Sequence, residues 1–134
     1  MDNFLANNIC LNIRKVSEPY YPPTLNSYGA IGLDVYSPVN IVLMPFIATP
    51  IFLNFAVSLP PRYYCRLEAQ PTLGVRGIIS LQTFVDADYA DNISMLLMNA
   101  SNTPYTVHRG TKVGLLCTHK YVMPSVFDIS VYTD

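Results

Sequence analysis

The chain predicts an all-β domain, a sandwich, jelly roll or small barrel with short or no helix, and three observations carry that expectation. Eleven prolines are spread along the 134 residues, so few stretches long enough for a helix escape both Pro and Gly. The stretches between turns are short runs rich in Ile, Val, Leu, Phe, Tyr and Thr. Several of them alternate with period two, the pattern of a strand with one buried face. The length is that of a single domain, residues 1–134.

Taken in order, the strand-like runs are Ile9–Val16, Leu33–Tyr36, Val39–Met44, Ile51–Leu59, Tyr63–Leu67, Ile93–Asn99, Tyr105–His108, Lys112–Thr118 and Val126–Tyr132. In the first, Ile9, Leu11 and Ile13 share one face, and Cys10, Asn12 and Arg14 share the other. In the fourth, Ile51, Leu53, Phe55 and Val57 face one way, while Phe52, Asn54, Ala56 and Ser58 face the other. Turn residues separate the runs at Pro22-Pro23, Ser37-Pro38, Pro60-Pro61, Asn102-Thr103-Pro104, Arg109-Gly110 and Met123-Pro124. The segment Pro19–Ser27 reads as an irregular loop, with Tyr20 and Tyr21 as candidate contact points. The final run reads as a last strand.

Composition narrows the function classes. Charged residues make up 13% of the chain, about half the usual share for soluble domains. Apolar surface must then be covered, and another copy of the chain is the natural cover. The formal net charge is −1, and the basic residues form only the scattered pairs Arg14-Lys15, His108-Arg109 and His119-Lys120. No basic stripe exists to neutralise phosphates, which argues against nucleic acid as a partner. The three cysteines, Cys10, Cys65 and Cys117, have no close spacing and read as small core residues in a reducing compartment. The N-terminal residues lack the features of a secretory signal, and Pro45, Pro50, Asn54 and Ser58 interrupt the apolar stretches, so no membrane insertion is expected. A cytoplasmic protein follows. The sequons at Asn92 and Asn99 are then chance matches.

Four stretches, in order, resemble the motifs of the dUTPase family. Ala30-Ile31-Gly32-Leu33-Asp34-Val35-Tyr36-Ser37 is similar to the first, with one residue between Ala30 and Gly32. Val57–Arg66 is similar to the strand-turn-strand that leads into the second, whose positions fall on Gln70-Pro71-Thr72-Leu73-Gly74. Phe84-Val85-Asp86-Ala87-Asp88-Tyr89 resembles the third, which builds a uracil-binding hairpin. Val107–Leu116 resembles the fourth. The resemblance runs from about Ala30 to Pro124 and implies the jelly-roll, distorted β-barrel fold of that family, assembled as a homotrimer in which three subunits contribute to each site.

The resemblance assigns roles residue by residue. Asp86 stands where the family activates the attacking water, a task suited to a positioned, ionised carboxylate. Tyr89 stands where a tyrosine packs under the deoxyribose, and Thr83, Phe84 and Val85 stand in the base-binding hairpin. Asp34 matches a carboxylate associated with magnesium through water. Read without the resemblance, Asp86, Asp88 and Asp34 are also ordinary turn-stabilising residues, and Tyr89 is also a plain core residue.

The departures fall on the phosphate side. Gln70 replaces an arginine and loses bidentate phosphate recognition. Pro71 replaces a serine and offers neither a hydroxyl nor an N–H. Glu68 adds negative charge nearby, Leu115 replaces a glutamine, and Thr83 replaces a glycine. No glycine-rich fifth motif follows Met123-Pro124. Losing two or three charge-assisted contacts, each worth about 1.5–3 kcal/mol, weakens triphosphate binding on the order of a thousandfold.

The stretches Val35–Pro45, Ser58–Tyr63 and Ile93–Asn99 also resemble the dUTPase-derived product of the first open reading frame of adenovirus early region 4. That likeness implies a viral, catalytically degenerate scaffold that binds a host cytoplasmic signalling protein and needs no cofactor. The terminal Asp134 argues against PDZ binding. The alternative is a divergent dUTP diphosphatase using magnesium.

Overall fold

A computed structural model describes residues 9–81, 84, 85 and 90–132 of the chain. Its architecture is all-β, with strands β1 Asn12–Lys15, β2 Leu33–Tyr36, β3 Ile41–Leu43, β4 Ala48–Phe52, β5 Phe55–Ser58 and β6 Tyr63–Ala69. A five-residue helix, α1 Pro71–Val75, follows. Strands β7 Ile78–Leu81, β8 Phe84–Val85, β9 Ser94–Asn99, β10 Tyr105–Val107 and β11 Lys112–Lys120 complete the framework. The chain then runs to a short 3₁₀ helix, Ile129–Tyr132.

The strands form four antiparallel sheets: β1-β5, β10-β3, β4-β9-β7 and the four-stranded β2-β11-β6-β8. They enclose one core of Val35, Leu43, Ile51, Phe55, Leu67, Leu97, Leu116 and neighbours. Among the described residues the hydrogen-bonded ladders do not close into a continuous barrel.

The period-two readings hold in part: Ala56, read onto the outer face, is buried on both sides of β5, and Ile9, read onto the inner face of the first run, is exposed while Leu11 and Ile13 are half-buried. Ile51, Leu53, Phe55 and Val57 are all buried, while Phe52 and Ser58 are exposed. The continuity expected for Ile51–Leu59 does not hold. Asn54 adopts a left-handed backbone with φ 66°, which breaks the run into β4 and β5 in different sheets. Asparagine tolerates that conformation better than a β-branched neighbour would. β4 starts at Ala48 and passes through Pro50, which is tolerated because β4 is an edge strand.

Three further expectations are corrected. Val126–Tyr132 is not a strand: Asp128 caps the 3₁₀ turn by accepting from the Ser130 N–H and hydroxyl. Cys10 is exposed and outside β1, whereas Cys65 and Cys117 are buried. Tyr20 and Tyr21 are half-buried: Tyr20 meets Phe55 edge-on, and the Tyr21 hydroxyl accepts from Arg109 Nε at 3.0 Å. Leu25 projects from that loop, and Tyr28 projects just beyond its end. The Asn99 sequon is closed by burial, since its amide bonds Leu43 O, Thr103 O and Ser101. No helix among the described residues is long and apolar enough to cross a membrane.

Candidate functional site

The four-stranded sheet gathers the motif-like stretches. β11 lies between β2 and β6, so Asp34, Leu115 and Glu68 form one cross-strand row. The first, second and fourth stretches therefore meet at one end of this sheet. The third is rooted on its far edge, where β8 pairs Val85 with Cys65 and Phe84 with Arg66. Thr83, Asp86 and Tyr89 lie outside the described residues.

Asp34 is almost fully buried and doubly held. Its Oδ1 takes the Lys112 ammonium at 2.7 Å, and its Oδ2 accepts from the Asn26 amide. The Lys112 bond, then the Asn26 bond, holds its carboxyl below the usual carboxylate range. The Tyr36 hydroxyl and the Thr24 hydroxyl are 2.6 Å apart beside it. With both oxygens engaged, Asp34 does not fit a directly coordinated cation. No cluster of three His, Cys, Asp or Glu residues able to hold a metal occurs among the described residues. A cleft of about 350 Å³ lined by Leu25, Asn26, Ser27 and Tyr28 opens beside this network.

The phosphate-side substitutions have structural consequences. Gln70 precedes α1 and donates its backbone N–H to Val113 O at 2.9 Å. Its Oε1 is buried without a hydrogen-bond partner among the described residues. Pro71 fits the first position of α1, where an N–H has no helical partner. Glu68 is paired with Arg66, which offsets the repulsion expected of it toward a triphosphate. Leu115 stands between Asp34 and Glu68, so an apolar side chain occupies the centre of this row.

On the β8 edge the two described residues differ. Val85 is buried in the core and paired with Cys65 of β6. Phe84 is exposed, with the Arg66 guanidinium 5.7 Å from its ring centre and the Tyr64 ring at 5.6 Å. Sequence reasoning missed Lys112 and Asn26. Lys112 stands inside the fourth stretch, but nothing in its spacing announces Asp34 as its partner.

This architecture has known counterparts. A family model described as dUTPase matches residues 20–131. The deoxyuridine 5′-triphosphate nucleotidohydrolase of Zymomonas mobilis is 29% identical over 97 residues, covering 70% of this chain and 66% of that protein. Its counterpart from Caldanaerobacter subterraneus is 28% identical over 112 residues, covering 80% and 76%. That of vaccinia virus is 27% identical over 107 residues, covering 80% and 73%. The chain thus spans about two thirds to three quarters of these relatives. Among solved structures, the dUTPase of Staphylococcus bacteriophage 80α superposes with a TM-score of 0.83 at 18% identity, covering 89% of this chain and 88% of that one. The dUTPase of phage φ11 of S. aureus gives 0.82 at 20% identity, covering 89% and 95%. The matched span takes in all eleven strands but β1, together with every motif-like stretch, and places the chain in the dUTPase family.

Proposed function

We propose that the chain is a divergent dUTP diphosphatase that cleaves dUTP to dUMP and pyrophosphate, with magnesium as the cation the family resemblance implies. The observation that carries this reading is the unbroken run Val85-Asp86-Ala87-Asp88-Tyr89, issuing from β8 at the edge of the sheet that gathers the other motifs. Bacterial and viral relatives named as nucleotidohydrolases support it over the interaction-scaffold reading, reversing the order the sequence alone favours. In this role Asp86 activates water, Tyr89 packs against the sugar, and the backbone around Phe84 and Val85 receives the base. Asp34, tied to Lys112 and Asn26, keeps the first and fourth stretches in register.

The assembly that fits this role is a homotrimer. The outer face of β4-β9-β7 presents Ala48, Pro50, Phe52, Leu96, Met98 and Ile79, with no charged residue in these strands. An uncharged, partly exposed sheet face of this kind is suited to cover by another copy.

A second reading rests on one specific observation. Gln70, Pro71 and Leu115 together remove a guanidinium, a hydroxyl and an amide from the phosphate side. This favours a non-catalytic scaffold that binds a host cytoplasmic signalling protein, as the likeness to the adenovirus product implies. That finer likeness rests on the sequence stretches alone. Pyrophosphate release from dUTP with magnesium, on wild type and Asp86→Asn, decides between the two. Turnover abolished by the substitution supports the hydrolase, and no turnover by wild-type protein favours the scaffold.

A further inference from the structure

Gln70 leaves the phosphate side without its guanidinium, yet another guanidinium lies close by on the same strand. Cys65 and Leu67 of β6 are buried in the core, so Arg66 and Glu68 point to the opposite face of the sheet. Arg66 Nη2 donates to Glu68 Oε1, which draws the guanidinium along the strand toward Glu68. Glu68 precedes Gln70 by two residues, a strand distance of roughly 7 Å. Across β6 and β8, the exposed Phe84 ring lies 5.7 Å from the same guanidinium.

The bond to Glu68 uses only part of what Arg66 offers. The Nε and Nη2 of a guanidinium form one edge, a fork that matches two oxygens of a carboxylate or phosphate. Glu68 fills Nη2 with one oxygen, while Nε is buried without a hydrogen-bond partner among the described residues. A buried donor left unpaired is costly, and a bidentate oxyanion satisfies it.

The two cations beside this row are held very differently. Lys112 is tied to Asp34, whose side chain is only 12% exposed and which also accepts from Asn26. Arg66 is tied to Glu68, and their side chains are 39% and 36% exposed. Water and salt screen the second pair, so it opens readily. A polyphosphate brings several negative charges against the one on Glu68, and the stronger field wins the fork.

We infer that Arg66 is the phosphate-binding guanidinium of this chain, and that Glu68 is a latch which a polyphosphate must displace. The inference rests on the dUTP reading above and adds to it a binding residue and an autoinhibitory contact. When the Glu68 carboxylate leaves Nη2, the Nε–Nη2 edge takes two oxygens of one phosphate group. In the free protein the latch keeps a cation from standing unpaired beside Leu115, which lies opposite Glu68.

Calorimetric titration of the full chain with inorganic pyrophosphate, without added metal, tests this. Glu68→Gln is expected to bind about fivefold more tightly than wild type, the scale of a released half-exposed ion pair. A gain of binding cannot come from a misfolded variant, and Glu68→Ala is expected to match it. Arg66→Gln is expected to lose at least about tenfold, the scale of a charge-assisted bond. Arg66→Lys, which keeps the charge but not the fork, is expected to recover only part of that loss. The decisive variant is the double one. Because Glu68 acts through Arg66, adding Glu68→Gln to Arg66→Gln is expected to change the affinity by less than about twofold. A full gain in that background shows that Glu68 merely repels the anion, and overturns the latch. Unchanged or weaker binding by Glu68→Gln also overturns the inference, as does pyrophosphate binding by neither wild type nor Glu68→Gln. In dUTP hydrolysis the same pattern is expected in KM. If wild type shows no turnover, the hydrolase proposal fails, and the pyrophosphate titration still decides the role of Arg66.

Discussion

At the scale of single residues, the described part of the site is dominated by one carboxylate. The Lys112 ammonium, then the Asn26 amide, stabilises ionised Asp34, so its folded pKa lies below the unfolded value of about 3.9. The stability this provides is full above the unfolded pKa and lost as pH falls through the folded one. Asp34→Asn is therefore expected to lower the urea-unfolding free energy by about 1.5–3 kcal/mol at neutral pH. The difference from wild type is expected to shrink below about pH 4. A gap that stays constant down to the acid range would mean that charge is not the source. The cysteines allow an independent check on burial. Burial pushes the Cys65 and Cys117 thiols up, whereas Cys10 is exposed. A thiol reagent at neutral pH is expected to label Cys10 alone in the native protein, and all three cysteines in denaturant. Rapid native labelling of Cys65 would contradict the packing of β6.

At the scale of elements, the pairing of β6 with β11 is the framework of the site, and it depends on a residue without a side chain. A Cβ on Gly114 would sit 2.3 Å from Glu68 O and 2.7 Å from Met95 Cε. The methionine tip can move, but the carbonyl belongs to the neighbouring strand. Gly114→Ala is expected to destabilise the protein by about 2–3 kcal/mol, the scale of overpacking. Thermal unfolding checks it, and a melting temperature within a degree of wild type would show that the strands yield easily. The β3–β9–β10 corner relies on a different device. Buried Asn99 satisfies two donors and two acceptor bonds at once, joining Leu43, Ser101 and Thr103. Asn99→Ala removes these four bonds, leaving Thr103 O to the Ser101 hydroxyl, and is expected to cost about 2–4 kcal/mol in chemical denaturation.

At the scale of the whole molecule, the uncharged outer face of β4-β9-β7 sets the expected assembly. Sedimentation at micromolar concentration is expected to show a trimer. Leu96→Lys, which puts a charge at the centre of that face opposite Pro50 and Leu81, is expected to dissociate it. A stable wild-type monomer would remove the reason for that apolar face. The C-terminal segment adds a further exposed set, Val122, Met123, Val126, Phe127 and Ile129.

Much of the fold was legible in the sequence because its signals are local. Period two exposes which side of each strand is buried, and proline and glycine mark where strands stop. Those rules determined the all-β class, the buried sides of β1 and β4, and the absence of long helices among the described residues. They failed where a local pattern meets a tertiary choice. The run Ile51–Leu59 keeps its alternation through a break that only the bonds of Asn54 to Asn92 and Pro19 explain. The run Val126–Tyr132 has strand composition but no strand to pair with among the described residues, so it turns into a 3₁₀ helix. The site divides in the same way. The sequence by itself determined which residue types stand at Asp34, Gln70, Leu115 and Asp86, because identity is a property of the chain. Only the tertiary structure decided that Lys112 neutralises Asp34, that Arg66 neutralises Glu68, and that Arg14 reaches Ala90. Electrostatic and hydrogen-bond partners are chosen by proximity in space, and sequence distance carries no record of it.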